Sequence, residues 1–587
     1  MNRRHTRPVP AHSRLRGALG ARIRRAALAA AALLLAASSA LAGAPLLEGM
    51  GRHTHPVSTQ APLAQRYFDQ GLLLYWAFDY PEAGRSFREA ARLDPRCAMC
   101  EWGIALTLGP NVNNEMSAAA QAEARRHAAR ALALAGGATP RERTYIEALA
   151  LRYGVDGPLP APLPAGNAAL TAPEICGAAR PKVAADRAAL DRRYADAMGA
   201  VTRRFPDDLD AAVLWAEALM VLSPWDYWAE DGSPRADTPA ILAALEAVLK
   251  KAPAHPAANH FHIHALEESP DPERALPAAD RLGALVPVAG HLVHMPAHIY
   301  LRVGRYHDAT LANERANAAD RWYEEQLRAQ GYAPLGRVAH HDHFLWASAG
   351  MEGRGALAIA AADRLAAVAA APEQPFGRAG SNDYFRALPL FARVRFERWP
   401  EILAAPPPPG ESAYPGGVWR FARGVALART GEPARARAEA SALRAAAGDP
   451  RLEDLRLKGI DSLAELLAVG VKVLEGEIAL AEGRADAAVT ALRAAAALED
   501  RLEDNEPPAW AAPTRHRLGA ALLAAGRPGD AEAVFRDDLA RHPENGWALR
   551  GLAESLEQQG READASAARE RLRAAWRHAD FKRLARR

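Results

Sequence analysis

Residues 64–95 read A-Q-R-Y-F-D-Q-G-L-L-L-Y-W-A-F-D-Y-P-E-A-G-R-S-F-R-E-A-A-R-L-D-P. The pattern predicts a helix ending near Phe78, a turn at Asp79-Tyr80-Pro81 and a second helix ending near Leu93. Gly71, Ala83 and Ala90 are small enough to let the two helices approach closely, and Phe87 fills the gap between them. Pro95 cannot continue a helix and closes the unit. A fixed interval appears further on: His260 and His294 are 34 residues apart, and so are His264 and His298. Such a period marks a chain of stacked helix–turn–helix units, each burying its apolar face against its neighbours.

Residue by residue, 63–95 resembles a tetratricopeptide repeat. That family places a small residue at position 8, Ala at 20, an aromatic at 24, Ala at 27 and Pro at 32. Here these are Gly71, Ala83, Phe87, Ala90 and Pro95. In 510–541 the matching residues are Leu518, Gly519, Ala531, Phe535 and Pro543. The resemblance is strong in 63–95 and 510–577, good in 256–320, and weak in 100–250, where insertions break the period. It implies an all-α superhelix (solenoid) of the tetratricopeptide type, with insertions. The first helix of each pair then lines a concave groove that takes a protein or peptide. The chain also resembles exported bacterial proteins built this way, a resemblance that implies no activity.

Working outward, 587 residues are too many for one ordinary core, and an apolar content of 49% is enough to bury a large interior. A net charge of only +3 lacks the basic stripe of a nucleic-acid binder. Residues 1–42 read as a signal peptide. A basic segment closes at Arg22, Arg24 and Arg25, an apolar run follows from Ala26 to Ala37, and Ala40-Leu41-Ala42 is an A-x-A cleavage pattern. The expectation is an exported protein, periplasmic or secreted, with no membrane span in the mature chain. Residues 43–62 then form a flexible N-terminal segment whose His53 and His55 could hold Cu or Ni loosely. Repeat units occupy 63–153, and a Pro/Gly-rich loop carrying Cys176 spans 154–181. Central repeats occupy 182–404, with an aromatic insertion at 223–234 and another insertion at about 322–337. A stiff A-P-P-P-P-G linker at 405–410 leads to the C-terminal units of 411–587.

The central repeats carry N-H-F-H-I-H-A-L-E at 259–267, G-H-L-V-H-M-P-A-H-I-Y at 290–300 and H-H-D-H-F-L-W at 340–346. By helical spacing, His260, His264 and Glu267 share one face. His291, His294 and His298 share the next, and His340 and His343 the third. His262 and His341 should point elsewhere. Pro296 is tolerated only in a first helical turn, so a helix is expected to start near His294, with His291 in the preceding loop. Two readings stand. Groove histidines can donate hydrogen bonds to a protein or peptide ligand. Alternatively, imidazoles converging from three adjacent helices can hold one or two transition-metal ions such as Zn, Cu or Fe, and an open coordination position would serve catalysis. His294-Met295-Pro296-Ala297-His298 lacks the glutamate of a zinc-protease motif.

Cys97-Ala98-Met99-Cys100 lies at a helix start. A structural disulfide, metal ligation and thiol exchange are all open to it, and the third cysteine leaves an odd thiol. No phosphate-binding loop, dinucleotide fingerprint or G-x-S-x-G is present. The leading reading is an exported scaffold that binds a protein or peptide in its groove. The alternative is a metal-binding protein or metalloenzyme using the histidine cluster.

Overall fold

A computed structural model describes residues 43–155, 185–331, 339–371, 379–409, 413–502, 505–510 and 512–580. Cys176 and the segment expected to be a signal peptide lie outside these residues, as does nearly all of the 154–181 segment expected to be a loop.

The chain folds into successive helix–turn–helix pairs. α1 (Pro62–Trp76) pairs with α2 (Tyr80–Leu93), and α3 (Ala98–Thr107) with α4 (Ala118–Leu134). α5 (Pro140–Arg152) packs on α6 (Ala185–Arg204), and α7 (Leu209–Met220) on α8 (Thr238–Lys251). In the centre, α9 (Pro256–Leu266) packs on α10 (Leu276–Leu285). The short α11 (Gly290–His294) and α12 (Pro296–Arg302) both pack on α13 (Tyr306–Ala329). α14 (His340–Glu352) follows with α15 (Gly355–Ala369), then α16 (Ala379–Arg395) with α17 (Trp399–Ala404). The C-terminal pairs are α18 (Ala413–Arg429) with α19 (Pro433–Ala447), α20 (Leu463–Ala481) with α21 (Ala485–Glu499), α22 (Thr514–Ala524) with α23 (Pro528–Arg541), and α24 (Gly546–Gln558) with α25 (Glu562–Ala575). A two-stranded ribbon pairs Arg456–Leu457 with Asp461–Ser462.

The small-residue pattern does its predicted job. The Phe87 ring is wedged between α1 and α3, where a Cβ on Gly71 would come within 2.9 Å of it and one on Gly103 within 2.3 Å. The insertion expected at about 322–337 begins later than the sequence suggests, because α13 runs on to Ala329. Its Tyr323 is partly buried against the core and holds the extra turns in place.

Residues 43–61 are not a free tail. They run as a strap across α1, with Ala44, Leu47, Met50 and His55 buried. Tyr67 donates to the Ala44 carbonyl (2.8 Å), and Gln70 bonds both Leu47 N (2.7 Å) and the Pro45 carbonyl (2.8 Å). The sequence reading failed here because a polar-looking segment is held by backbone bonds to side chains of a helix that follows it.

The buried apolar residues form two cores. One runs from Ala44 to Ala312 and takes in Phe344; the other runs from Ala339 to Ala568. They meet at α14, which gives Phe344 to the first and Leu345 and Trp346 to the second. The end of α1 and the last described residues both return to this centre. The Trp76 carbonyl at the end of α1 meets α9. Towards the last described residues, Trp547 donates to the Gly350 carbonyl (3.0 Å) and Trp576 to that of Met351 (3.3 Å), while Asp580 accepts from Gly355 N (2.7 Å) and Ala356 N (3.0 Å). Among the described residues, no helix is long and apolar enough to cross a membrane.

Candidate metal centre

Three features of the chain bring the histidines together. His255 caps α9, its Nδ1 accepting from Ala258 N (3.3 Å), and Pro256 occupies the first turn, where a missing N–H costs nothing. Pro296 breaks the next helix at Met295. His291 and His294 therefore stand on α11 and His298 on α12, with His291 in a single helical turn rather than a loop. α14 then delivers His340, His341 and His343.

Two triads result. His260, His264 and His291 bring ligand atoms within 4.8 Å of one another, and so do His294, His298 and His340. Apart from His291, which is partly exposed, these rings are at most 2 % exposed. Inside the triads, Nε2 atoms face each other: His260 and His291 at 2.9 Å, His294 and His298 at 3.0 Å. The opposite nitrogens meet oxygen. His260 Nδ1 donates to the Trp76 carbonyl (2.7 Å) and His264 Nδ1 to Glu267 (2.9 Å). His294 Nδ1 donates to Asn313 Oδ1 (2.7 Å), while the Asn313 amide nitrogen donates to the Ala309 carbonyl (2.8 Å), which fixes the amide orientation. His298 Nδ1 lies 2.8 Å from the second oxygen of Glu267 and also bonds Glu506. Glu267 thus orients one ring of each triad from its Nδ1 side and is not placed as a ligand beside the Nε2 atoms. His264 Nε2 and both ring nitrogens of His340 are buried with no hydrogen-bond partner.

The electrostatics separate the rings. Burial holds His260, His291, His294 and His340 well below the ordinary histidine range, and the crowding of imidazoles, with Lys458 beside His340, adds to the effect. His298 differs. Burial opposes its charge, but the Glu267 and Glu506 carboxylates raise it to about 9. Burial likewise opposes ionisation of Glu267, yet His298 and His264 hold it at about 2.

Two expectations about these rings need correction. His343 stands apart from the triads, stacked on Trp346 (5.6 Å) and edge-on to Tyr384 and Phe385. Three residues beyond His340 on α14, it faces the second core. His341, expected to point away, lies 4.7 Å from the His294 ring, with its Nδ1 held by Asp320 (2.9 Å). Angular spacing on a single helix misses a ring that reaches its neighbour across the helix–helix seam. His262 does point away, towards Glu246.

Several site residues carry no signal in the local sequence. Phe78 stacks among His260, His264 and His291 at 4.7–5.5 Å. Trp225 of the aromatic insertion is edge-on to His264 (5.1 Å). Asn313 and Glu506 come from a later helix and a distant loop. The one available clue was the aromatic composition of 223–234.

A second histidine group gathers on the strap. His53 and His255 both reach Asp210 Oδ1 (3.0 and 2.9 Å), and His55 reaches Oδ2 (2.5 Å). Its chemistry differs from that of the triads. His255 Nδ1 accepts from a backbone amide, so its Nε2 carries the proton and donates to Asp210. This group fastens the strap by hydrogen bonds. Cys97 and Cys100 are joined by a disulfide.

A sequence profile of the tetratricopeptide repeat family matches residues 522–587. No curated protein matches the chain at a significant level. Solved structures similar to the chain include the APC/C hetero-tetramer Cut9–Hcn1, at 12% identity and a TM-score of 0.28, covering 89% of this chain and 76% of that one. Another is the tetratricopeptide domain of P58(IPK), at 13% identity and a TM-score of 0.17, covering 64% of this chain and 98% of that one. Residues 522–587 thus match the tetratricopeptide repeat family, and the paired helices and glycine–phenylalanine wedges elsewhere in the chain resemble that repeat.

Proposed function

We propose that this chain is a metalloprotein, holding one transition-metal ion in each histidine triad: His260, His264 and His291 in one, His294, His298 and His340 in the other. One observation carries the reading. In His260, His264, His294 and His298, Nδ1 is turned to an oxygen acceptor and Nε2 is turned inward. Metal-binding histidines are arranged this way, because the outer hydrogen bond fixes the tautomer that leaves a lone pair for the ion. An Nε2 lone pair on His294 facing His298 at 3.0 Å requires a cation between or beside them. Without a metal that cation is the His298 proton. With one, the pair needs to open only slightly, to the separation of about 3.3 Å that Zn–N bonds of about 2.0–2.1 Å set in a tetrahedral site.

Buried polar nitrogens without partners are rare in native proteins. His264 Nε2 and one ring nitrogen of His340 are accounted for if they are ligands. All-imidazole sets suit zinc, copper or iron, and three ligands leave a coordination position free, as in catalytic zinc sites. Burial argues against a peptide docking on these rings. The scaffold role belongs to surfaces outside the histidine core. The Cys97–Cys100 disulfide supports export, since such bonds persist in oxidising compartments.

The test is metal content of the untagged mature protein beside His264→Ala and His340→Ala. About two ions per chain are expected, one per triad, falling to about one in each variant with unchanged helical circular dichroism. A wild-type protein that holds none after incubation with zinc, copper and ferrous iron ends the proposal.

A further inference from the structure

A cavity of about 430 Å³ lies beside the histidine core, walled by α12, α13, α14, α16 and the loop that follows α21. That is the size range of small-molecule sites. Glu506 forms part of its wall and also touches His298, so the cavity and the second triad share a side chain. On its outer side stands Arg541, whose side chain is half exposed, so the cavity opens to solvent.

Charge on the wall is unevenly matched. Arg302 donates only to the carbonyls of Glu267 (2.5 Å) and Ser269 (3.2 Å). Arg395 donates to His516 Nδ1 (3.0 Å) and Met351 Sδ (3.7 Å) and lies on the Trp547 ring at 4.1 Å. Among the described residues, neither guanidinium forms an ion pair with a carboxylate. The nearby Asp538 accepts from His516 (2.8 Å) and Asn545 (2.9 Å) through one oxygen, and it favours the Arg395 charge without bonding to it. Acidic groups of the wall are engaged as well: Glu499 by Thr514 N (2.8 Å), Asp500 by Arg515 (2.8 Å) and Glu506 by His298.

The Tyr306 hydroxyl is buried with no hydrogen-bond partner. It lines the same cavity, close enough to Arg395 for the guanidinium to ease its ionisation against the larger effect of burial. Burial lowers Arg395 to about 9, which still leaves it charged at neutral pH. The rest of the wall near these groups is apolar, with Trp346, Met351, Phe396 and Trp510.

We propose that this cavity binds a small amphipathic carboxylate, its anionic end at Arg395 and Tyr306 and its hydrocarbon or aromatic body against Trp346, Phe396 and Trp510. A guanidinium matches a carboxylate in charge and planar geometry, and a phenol donor completes the set. A compact, fully hydrated anion would leave the aromatic wall uncovered. A neutral ligand would leave both arginines without a directly bonded carboxylate. The inference goes beyond the metal reading and does not need a metal in either triad.

The probe is 3-phenylpropionate, titrated calorimetrically into the full-length mature protein, with 3-phenylpropanamide and inorganic phosphate as comparisons. The acid is expected to bind at least about tenfold tighter than the amide, a difference of about 1.4 kcal/mol, and tighter than phosphate. Arg395→Gln should abolish the preference for acid over amide, Arg395→Lys should keep part of it, and Tyr306→Phe should weaken the acid several-fold. Binding should persist in His264→Ala, so a failed metal reading and a failed carboxylate reading give different results. Equal affinity for acid and amide in the wild type overturns the proposal, and that comparison needs no variant to fold. So do no binding up to about 10 mM acid, phosphate binding as tight as the acid, and unchanged acid affinity in Arg395→Gln.

Discussion

A neutral imidazole has one lone pair, and in this core its oxygen neighbours decide where that lone pair points. The same rings make stability depend on pH in the metal-free protein. Burial, with the crowding of imidazoles and Lys458, holds His260, His291, His294 and His340 well below the usual histidine value, and His343 likewise. In the unfolded chain they take up protons below about pH 6.5. Their contribution is therefore complete above that pH and is lost as pH falls below it, by up to about 1.4 kcal/mol per pH unit for each ring. His298 has the opposite sign. Burial opposes its charge, but Glu267 and Glu506 raise it to about 9, so its contribution is complete below about pH 6.5 and disappears as pH rises through about 9. Thermal melts of chelator-treated protein should show a maximum between about pH 6.5 and 7.5, and a flat profile from pH 5 to 9 would contradict this account. At this scale the convergence of His260, His264, His294, His298 and His340 was legible, because spacings of three, four and seven residues mark one helix face, whereas His341 and His343 were misplaced. The oxygen partners were not. The Trp76 carbonyl is 184 residues from His260, and Glu506 is 208 residues from His298.

At the scale of the helix pair, the clamp formed by glycine and phenylalanine sets the spacing. Phe87 fits because Gly71 and Gly103 lack a Cβ, and Phe535 sits in the same way between Gly519 and Gly551. Gly103→Ala would place a methyl 2.3 Å from the Phe87 ring. Such overpacking is expected to cost about 1–3 kcal/mol, seen as a lower urea midpoint; an unchanged midpoint would show that α3 shifts freely. This pattern was readable because the aromatic and its small partners recur at fixed positions. The helix break at Met295 was half readable. Pro296 announced it, but whether His291 stays helical depends on packing against α13, which the local sequence does not reveal. The strap of residues 43–61 was misread for a related reason: its anchors Tyr67, Gln70 and Asp210 all lie outside it.

For the whole molecule, the last described residues return to α14 at the seam between the two cores, and the end of α1 meets the central α9. Asp580 caps α15 from the far end of the sequence, accepting from Gly355 N and Ala356 N. Asp580→Ala should cost about 1 kcal/mol, the usual value of a helix cap, and should speed amide exchange in the first turn of α15. Exchange no faster than wild type would mean that the C-terminal end is held by Trp547 and Trp576 alone. The solenoid was legible as a class, since a period of 34 residues and small-residue positions recur along the chain. Its return on itself was not, because repeats specify contacts with neighbours and the returning contacts lie far apart in sequence.

That return gives the centre a place in time. Helices and neighbouring pairs form from local contacts, which close quickly, whereas contacts across 184 and 208 residues wait for long loops to close. During refolding, far-ultraviolet dichroism should recover first. The aromatic signals of Phe78 and Trp225 around the rings should follow, and a chain stalled between the two would be helical with its histidine core still unassembled.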